Sequence, residues 1–261
     1  MTATRLSIDL NGDVGEWDGD ATDAAARLRA DAALAASLSS LNVACGGHAG
    51  DAGSMRSLVR LASDRGLALG GHPSFPDRSG FGRRVMALSP AEIERVVADQ
   101  VGDLVAIATD ERMRVGHVKP HGALYNLAAT DRDVADAIAR AVACIDQRLM
   151  LVGLSGGALI DAGRRLGLAT ACEVFCDRAY ESDGSLTPRT QPGSVLTDAT
   201  VAAARLVRMV RDGLVESRQG STLHVTATTA CIHGDTPYAA DFARTIRKAL
   251  VNAGVDVAAP A

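Results

Sequence analysis

The sequence predicts a seven-stranded (β/α) barrel in a single α/β domain. Three observations lead to that class. Strand-like and helix-like stretches alternate seven times along the chain, which implies a parallel sheet with helical crossovers. No composition break or linker interrupts the 261 residues, a length ordinary for one barrel. No glycine fingerprint of the dinucleotide-binding type follows the first strand, which favours closure over the open, doubly wound sheet that is the alternative.

The elements follow in order. The first strand is expected near 5–11, where Leu6, Ile8 and Leu10 alternate with Ser7, Asp9 and Asn11. A helix near 21–39, a strand at 41–45 and a helix at about 51–65 come next. A strand at 67–71 runs into a Gly/Pro-rich loop, HPSFPDRSGFGRR. The following helix has a marked start: Ser89 caps it, Pro90 takes the first helical position and Glu92 completes a capping box. Strands at about 114–118 and 149–154 precede helical regions at 122–145 and 156–166. A strand at 168–175 leads through a long loop, to about 194, into a helix at 198–212. A strand at 222–232 and a helix at 236–253 end the pattern.

Composition narrows the function. Hydrophobic residues make up 47% of the chain and aromatics only 3%, so the core must be built from Ala, Val and Leu. A net charge of −4 with scattered lysines and arginines offers no basic stripe for nucleic acid or an anionic membrane. The N-terminus has no signal-peptide pattern and no apolar run is long enough to span a bilayer, so a cytoplasmic location is expected. The five cysteines are odd in number, widely spaced and without a C-x-x-C pair, which argues against a disulfide framework.

In parallel α/β folds reactive groups gather beyond the carboxyl ends of the strands. Those ends carry Asp9, Asn11, Asp13 and Glu16; Cys45, His48 and Asp51; His72; His117, Lys119 and His121; Glu173, Asp177 and Arg178; and His233 and Asp235. Five of the six histidines sit at such ends, and His224 begins the last predicted strand. One convergent site is therefore expected. Asp13 with His48 and His72 makes a plausible divalent-metal set, although His48 and His72 could equally be satisfied core histidines. Asp51 could simply cap its helix. Cys45 reads as a packed cysteine rather than a nucleophile. GLSGG at 153–157 matches a nucleophile elbow, but a Ser155 helix cap explains it better. Arg83 and Arg84, on a glycine-hinged loop, could clamp a carboxylate or phosphate, or lie in a solvated turn. His117 and Lys119 share one strand face. Lys119 is expected to be a buried anion anchor, with Asp9 or Glu173 as its partner in the free protein.

The segments DLNGDVGE, NVACGGHAGD, HPSFPDRSGFGRR, HVKPHGALYN, EVFCDRAYESDG, RTQPGSV and CIHGDTP together resemble the LamB/YcsF family, the A subunits of bacterial 5-oxoprolinase. They run in family order over nearly the whole chain. The resemblance implies a seven-stranded barrel of the glycoside hydrolase/deacetylase type. It also implies a reaction, in which 5-oxo-L-proline, ATP and water give L-glutamate, ADP and phosphate with separate B and C subunits. The chain has no G-x-x-x-x-G-K-[ST] loop, so ATP with Mg2+ is expected to be handled through those partners. The catalytic candidates are Asp13, Lys119, His121, Glu173, Asp177, His233 and Asp235. The substrate-binding candidates are Asn11, Arg83, Arg84 and Arg178, the last for the substrate carboxylate. The alternatives are a stand-alone metal-dependent hydrolase or deacetylase, and a non-catalytic lactam- or sugar-binding regulator.

Overall fold

The computed structural model describes residues 6–232 and 238–260. His233 and Asp235, and the start expected for the last helix, lie outside the described residues. The chain runs β1 (Ser7–Val14), α1 (Ala24–Ala35), β2 (Ser40–Ala44), α2 (Ala52–Arg65), β3 (Ala68–His72), a 3-10 turn (Arg78–Gly80), α3 (Pro90–Asp110) and β4 (Val115–Val118). It continues α4 (Gly122–Ala128), α5 (Arg132–Ile145), β5 (Met150–Leu154), α6 (Ala158–Arg165), β6 (Thr170–Val174), α7 (Ala199–Asp212), β7 (Leu214–Glu216), β8 (Thr222–His224), β9 (Thr229–Ile232), α8 (Ala239–Asn252) and β10 (Asp256–Val257).

β1 to β6 and β9 pair in parallel in that order, and β9 returns to β1, closing a seven-stranded barrel. Each of the seven strands is followed by a helical crossover. Closure is written in the registers: Asp13 lies opposite Asn42 of β2, while Asp9 and Asn11 lie opposite Thr229 and Cys231 of β9. Strand alternation then separates two environments. Ile8, Leu10 and Val14 face the helices and join the buried Val, Leu and Ala of the outer layer. Asp9, Asn11 and Asp13 make their hydrogen bonds across the barrel interior.

Several expected boundaries hold. Ser89, Pro90 and Glu92 start α3 with a full capping box, and Asp51 caps α2 through a capping box with Ser54. Three expectations are corrected. The helical region 122–145 is two helices, because Asp131 accepts the backbone N–H groups of Asp133 and Val134 and starts a new one. The strand expected at 222–232 is two unrelated pieces. β8 forms an antiparallel hairpin with β7, and only β9 enters the barrel. The whole segment 222–232 is rich in β-branched residues, so local pattern cannot distinguish a hairpin partner from a barrel partner. Ser155 does not cap α6: Gly157 holds the N-cap position, and the Ser155 hydroxyl accepts the Thr226 N–H. No helix among the described residues is long and apolar enough to cross a membrane.

Candidate functional site

The site grows from the polar interior of the barrel toward its mouth. At the bottom, Asp9 accepts hydrogen bonds from Ser39, Ser40 and Thr229 at 2.6–2.9 Å. Thr229 in turn accepts from Asn11 Nδ2 at 2.7 Å. The second Nδ2 hydrogen of Asn11 goes to Glu173 Oε1 at 2.9 Å, which leaves Oδ1 as the acceptor for Asn42 and Lys119. Asn42 Nδ2 also donates to Asp13 Oδ1 at 2.8 Å, and Asn42 Oδ1 accepts from His117 Nε2. A bulge at Leu69/Gly70 admits that imidazole. A Cβ on Gly70 would lie 2.1 Å from His117 Nε2.

Lys119 is the hub. It is 2% exposed, and its ammonium donates to Asp13 Oδ1 at 2.9 Å, Glu173 Oε1 at 2.9 Å and Asn11 Oδ1 at 3.1 Å. An ammonium has three hydrogens, and these partners take all three. Lys119 is therefore not waiting for a ligand anion. Glu173 is its partner as expected, whereas Asp9 bonds elsewhere. Asp13 and Glu173 together outweigh the lysine charge and raise its pKa well above the usual value despite burial.

Above Lys119 stand three imidazoles. His72 Nδ1 donates to the Lys119 carbonyl at 2.7 Å, and His121 Nε2 donates to the Phe81 carbonyl at 3.0 Å. Carbonyls only accept, which leaves His72 Nε2 and His121 Nδ1 as the nitrogens turned into the site. They face each other at 3.0 Å. Asp13 Oδ2 lies 3.4 Å from His72 Nε2, and Glu16 Oε1 lies 3.6 Å from His121 Nδ1. His48 stacks on His121 at 3.7 Å and meets Glu16 Oε1 at 3.2 Å. Gly82, at φ +63°, closes the loop over this stack, where a Cβ would come 2.9 Å from both His48 and His121.

These groups open on a cleft of about 680 Å³ whose walls include Asp13, Glu16, His72, Lys119 and His121 on one side. Arg178, Arg189, Ser155 and His224 contribute to the rest. Arg178 is 6% exposed and is held by the carbonyls of Ser194 and Thr187 through Nε and Nη2. Arg83 lines the cleft with its guanidinium over the Phe81 ring. Arg84 does not line it: its guanidinium pairs with Asp77. Asp177 is buried away from the cleft lining. Burial pushes the Cys45 thiol up to about 12, and Cys45 donates to the Val43 carbonyl, which removes it as a nucleophile.

A LamB/YcsF family model matches residues 8–261. The chain belongs to the LamB/YcsF family. It is 50% identical over 255 residues to the A subunit of 5-oxoprolinase from Chloroflexus aggregans, covering 98% of this chain and 99% of that relative. Against the corresponding 5-oxoprolinase chain of Bacillus subtilis it is 47% identical over 254 residues, covering 97% of each. Its fold superposes on the crystal structure of a lactam utilization protein from Thermus thermophilus with a TM-score of 0.87 at 45% identity, covering 98% of this chain and all of the other.

Glu16, His48, His72 and His121 form a cluster in this LamB/YcsF chain whose ligand atoms all lie within 4.8 Å of one another. Three imidazoles and a carboxylate gathered this closely could hold a cation between them. His48 and His121 are themselves poor proton acceptors. Burial, and after it the neighbouring His72, pushes His48 down to about 3 and His121 to about 2. The donor set fits a divalent metal ion, with His72 oriented by the backbone carbonyl behind it. The cluster brings in Glu16 beside the expected His48 and His72, while Asp13 Oδ1 bonds to Lys119 and Asn42 and its Oδ2 lies 3.4 Å from His72 Nε2. Sequence reasoning placed Glu16 at a strand end without assigning it to the metal, and it missed Asn42, Thr229 and Tyr125. An asparagine inside the apolar run LNVAC was the one usable signal.

Proposed function

We propose that the chain is the A subunit of an ATP-dependent 5-oxoprolinase, which opens 5-oxo-L-proline to L-glutamate in a cytoplasmic complex with B and C subunits. One observation carries the reading. A single cleft joins the Asp13 and histidine cluster to a guanidinium, Arg178, that is buried and has no ion pair among the described residues. Opening a lactam acid needs both, an acceptor for the proton of the attacking water and an anchor for the carboxylate. The names of relatives similar over almost their full length support the same substrate.

In this reading Arg178 takes the substrate carboxylate, with Arg83 beside the cleft. Asp13 Oδ2, 3.4 Å from His72 Nε2, orients water at the lactam carbon and accepts its proton. Lys119 bridges Asp13 and Glu173 and places a fixed positive charge under the developing oxyanion. A divalent ion held by Glu16, His48, His72 and His121 would polarise a carbonyl or lower the pKa of water. A five-membered lactam is a resonance-stabilised amide, so activation by ATP at its carbonyl oxygen supplies the driving force. The chain has no phosphate-cradling loop, and B and C carry the nucleotide with its Mg2+.

The histidine cluster also favours a second reading, a stand-alone metal-dependent hydrolase. Glutamate formation from 5-oxoproline, assayed with and without ATP and with and without B and C, separates the two. The 5-oxoprolinase reading predicts negligible turnover by the chain alone and ATP-dependent turnover with both partners. ATP-independent turnover by the chain alone, abolished by a chelator, would establish the second reading instead.

A further inference from the structure

Two buried polar atoms beside the cleft, one on α4 and one on β6, stand out from the otherwise bonded polar interior of the barrel. The Tyr125 hydroxyl and Glu173 Oε2 are both buried, and neither has a hydrogen-bond partner. Buried polar atoms left unpaired are rare and costly. Here two of them are neighbours. Burial first, and then the adjacent Glu173 carboxylate, push the Tyr125 phenol well above its ordinary pKa, so it remains a donor. Glu173 is held by Lys119 and Asn11 through Oε1, which leaves Oε2 as an acceptor. Tyr125, on α4, lines the cleft together with Lys119 and Phe175.

A donor and an acceptor side by side match a ligand edge that presents an acceptor and a donor side by side. A lactam has such an edge, because ring closure forces its N–H and C=O onto the same side. An open-chain amide is trans and puts them on opposite edges. A carboxylate offers two acceptors, and an ester has no donor. We propose that Tyr125 and Glu173 read the cis-amide edge of a cyclic amide, with Tyr125 Oη–H donating to the ring carbonyl and Glu173 Oε2 accepting the ring N–H.

The inference rests on the 5-oxoprolinase reading and adds to it the residues that select a lactam over other small acids. Both atoms are covered in the ligand-free rotamer, so the entering ring displaces the phenol from Glu173. That rotamer is held by edge-on packing against Phe175 at 5.9 Å and by the facing Glu173 carboxylate, with which the hydroxyl makes no hydrogen bond of ordinary geometry, so two well-formed ligand contacts replace one poor one. Lys119 bridges Glu173 and Asp13. A lactam seated on this edge therefore has its carbonyl carbon beside the Asp13 and histidine cluster.

The test compares the full-length wild type with Tyr125→Phe, which keeps the ring and removes only the hydroxyl. Dissociation constants are measured by NMR titration for 5-oxo-L-proline, for 2-pyrrolidinone, and for cyclopentanecarboxylate, which has the acid and the ring without the amide. Tyr125→Phe should weaken both lactams by about tenfold, the order of one buried hydrogen bond, and leave cyclopentanecarboxylate unchanged. That unchanged binding also reports a folded variant. Equal weakening of all three ligands overturns the proposal. So does unchanged lactam binding, which leaves the 5-oxoprolinase reading intact. Tyr125-dependent binding of 2-pyrrolidinone with no binding of 5-oxo-L-proline supports the edge reader and removes the 5-oxoproline reading. A wild type that binds neither lactam overturns both.

Discussion

The two sides of the cleft are built differently. On one side, Asp13, His72 and Glu173 project from strands or strand ends, Lys119 and His121 follow β4 directly, and nearly every polar atom has a partner inside the barrel. On the other, Arg178 and Arg189 sit on the long segment between β6 and α7, and Arg178 is steadied by backbone carbonyls of that same segment. The first side is fixed by non-local pairing across five strands. The second is fixed by contacts within a single loop segment. The contrast teaches where each task belongs: chemistry, which suffers from small misplacements, on the strand ends, and substrate capture on the loop.

The contrast can be broken most severely at its hub. Lys119→Met would leave Asp13 and Glu173 buried without their cation, and removing one member of a buried ion pair typically costs about 3–5 kcal/mol. Chemical denaturation should show a loss of that order. A variant as stable as the wild type would mean that the carboxylates are neutral and that the network is wrongly charged in this account. The equivalent loss on the loop side should be smaller, because Arg178 has no carboxylate to strand among the described residues.

A second effect is set by pH. Burial, and after it the Lys119 charge, pushes His117 down to about 4. In the unfolded chain a histidine binds its proton near pH ~6.5. Between these values the unfolded state holds more protons, so stability falls as pH drops through that window. His48 and His121, depressed for the same first reason, steepen the fall. His117→Gln retains an N–H donor for Asn42 and should flatten the slope by about one proton. An unaltered slope in denaturation curves between those two pH values would remove His117 from the account.

The smallest effect is expected at Ser155, which lines the cleft yet only accepts the Thr226 N–H. Ser155→Ala should cost about 1 kcal/mol and keep most of the turnover. A dead, folded Ser155→Ala would revive the nucleophile elbow.

The strand-end side was largely legible in the sequence, and the loop side was not. Asp13, His48, His72, Lys119, His121 and Glu173 could be grouped because β/α alternation alone places strand ends on one face. Which of them touch depends on register across β1, β2, β4 and β6, and no local pattern encodes that. Asn42 and Thr229 were passed over because a polar residue inside a strand usually marks the solvent face, and a barrel with a hydrogen-bonded interior inverts the rule. Arg83 and Arg84 are identical neighbours in GFGRR, yet Asp77 claims one while the other reaches the cleft. The β7–β8 hairpin escaped for the same reason, since its pairing is chosen by partners rather than by propensity.

The division of labour itself is tested most directly by kcat and KM for 5-oxoproline, measured on the enzyme reconstituted with B and C. Asp13→Asn, on the strand-end side, should lower kcat by at least about a hundredfold with KM little changed. Arg178→Gln, on the loop side, should raise KM by about tenfold or more through loss of a charge-assisted contact, with a smaller fall in kcat. The reverse pattern, or equal falls in kcat with constant KM for both variants, would contradict the assignment of chemistry to one side and capture to the other.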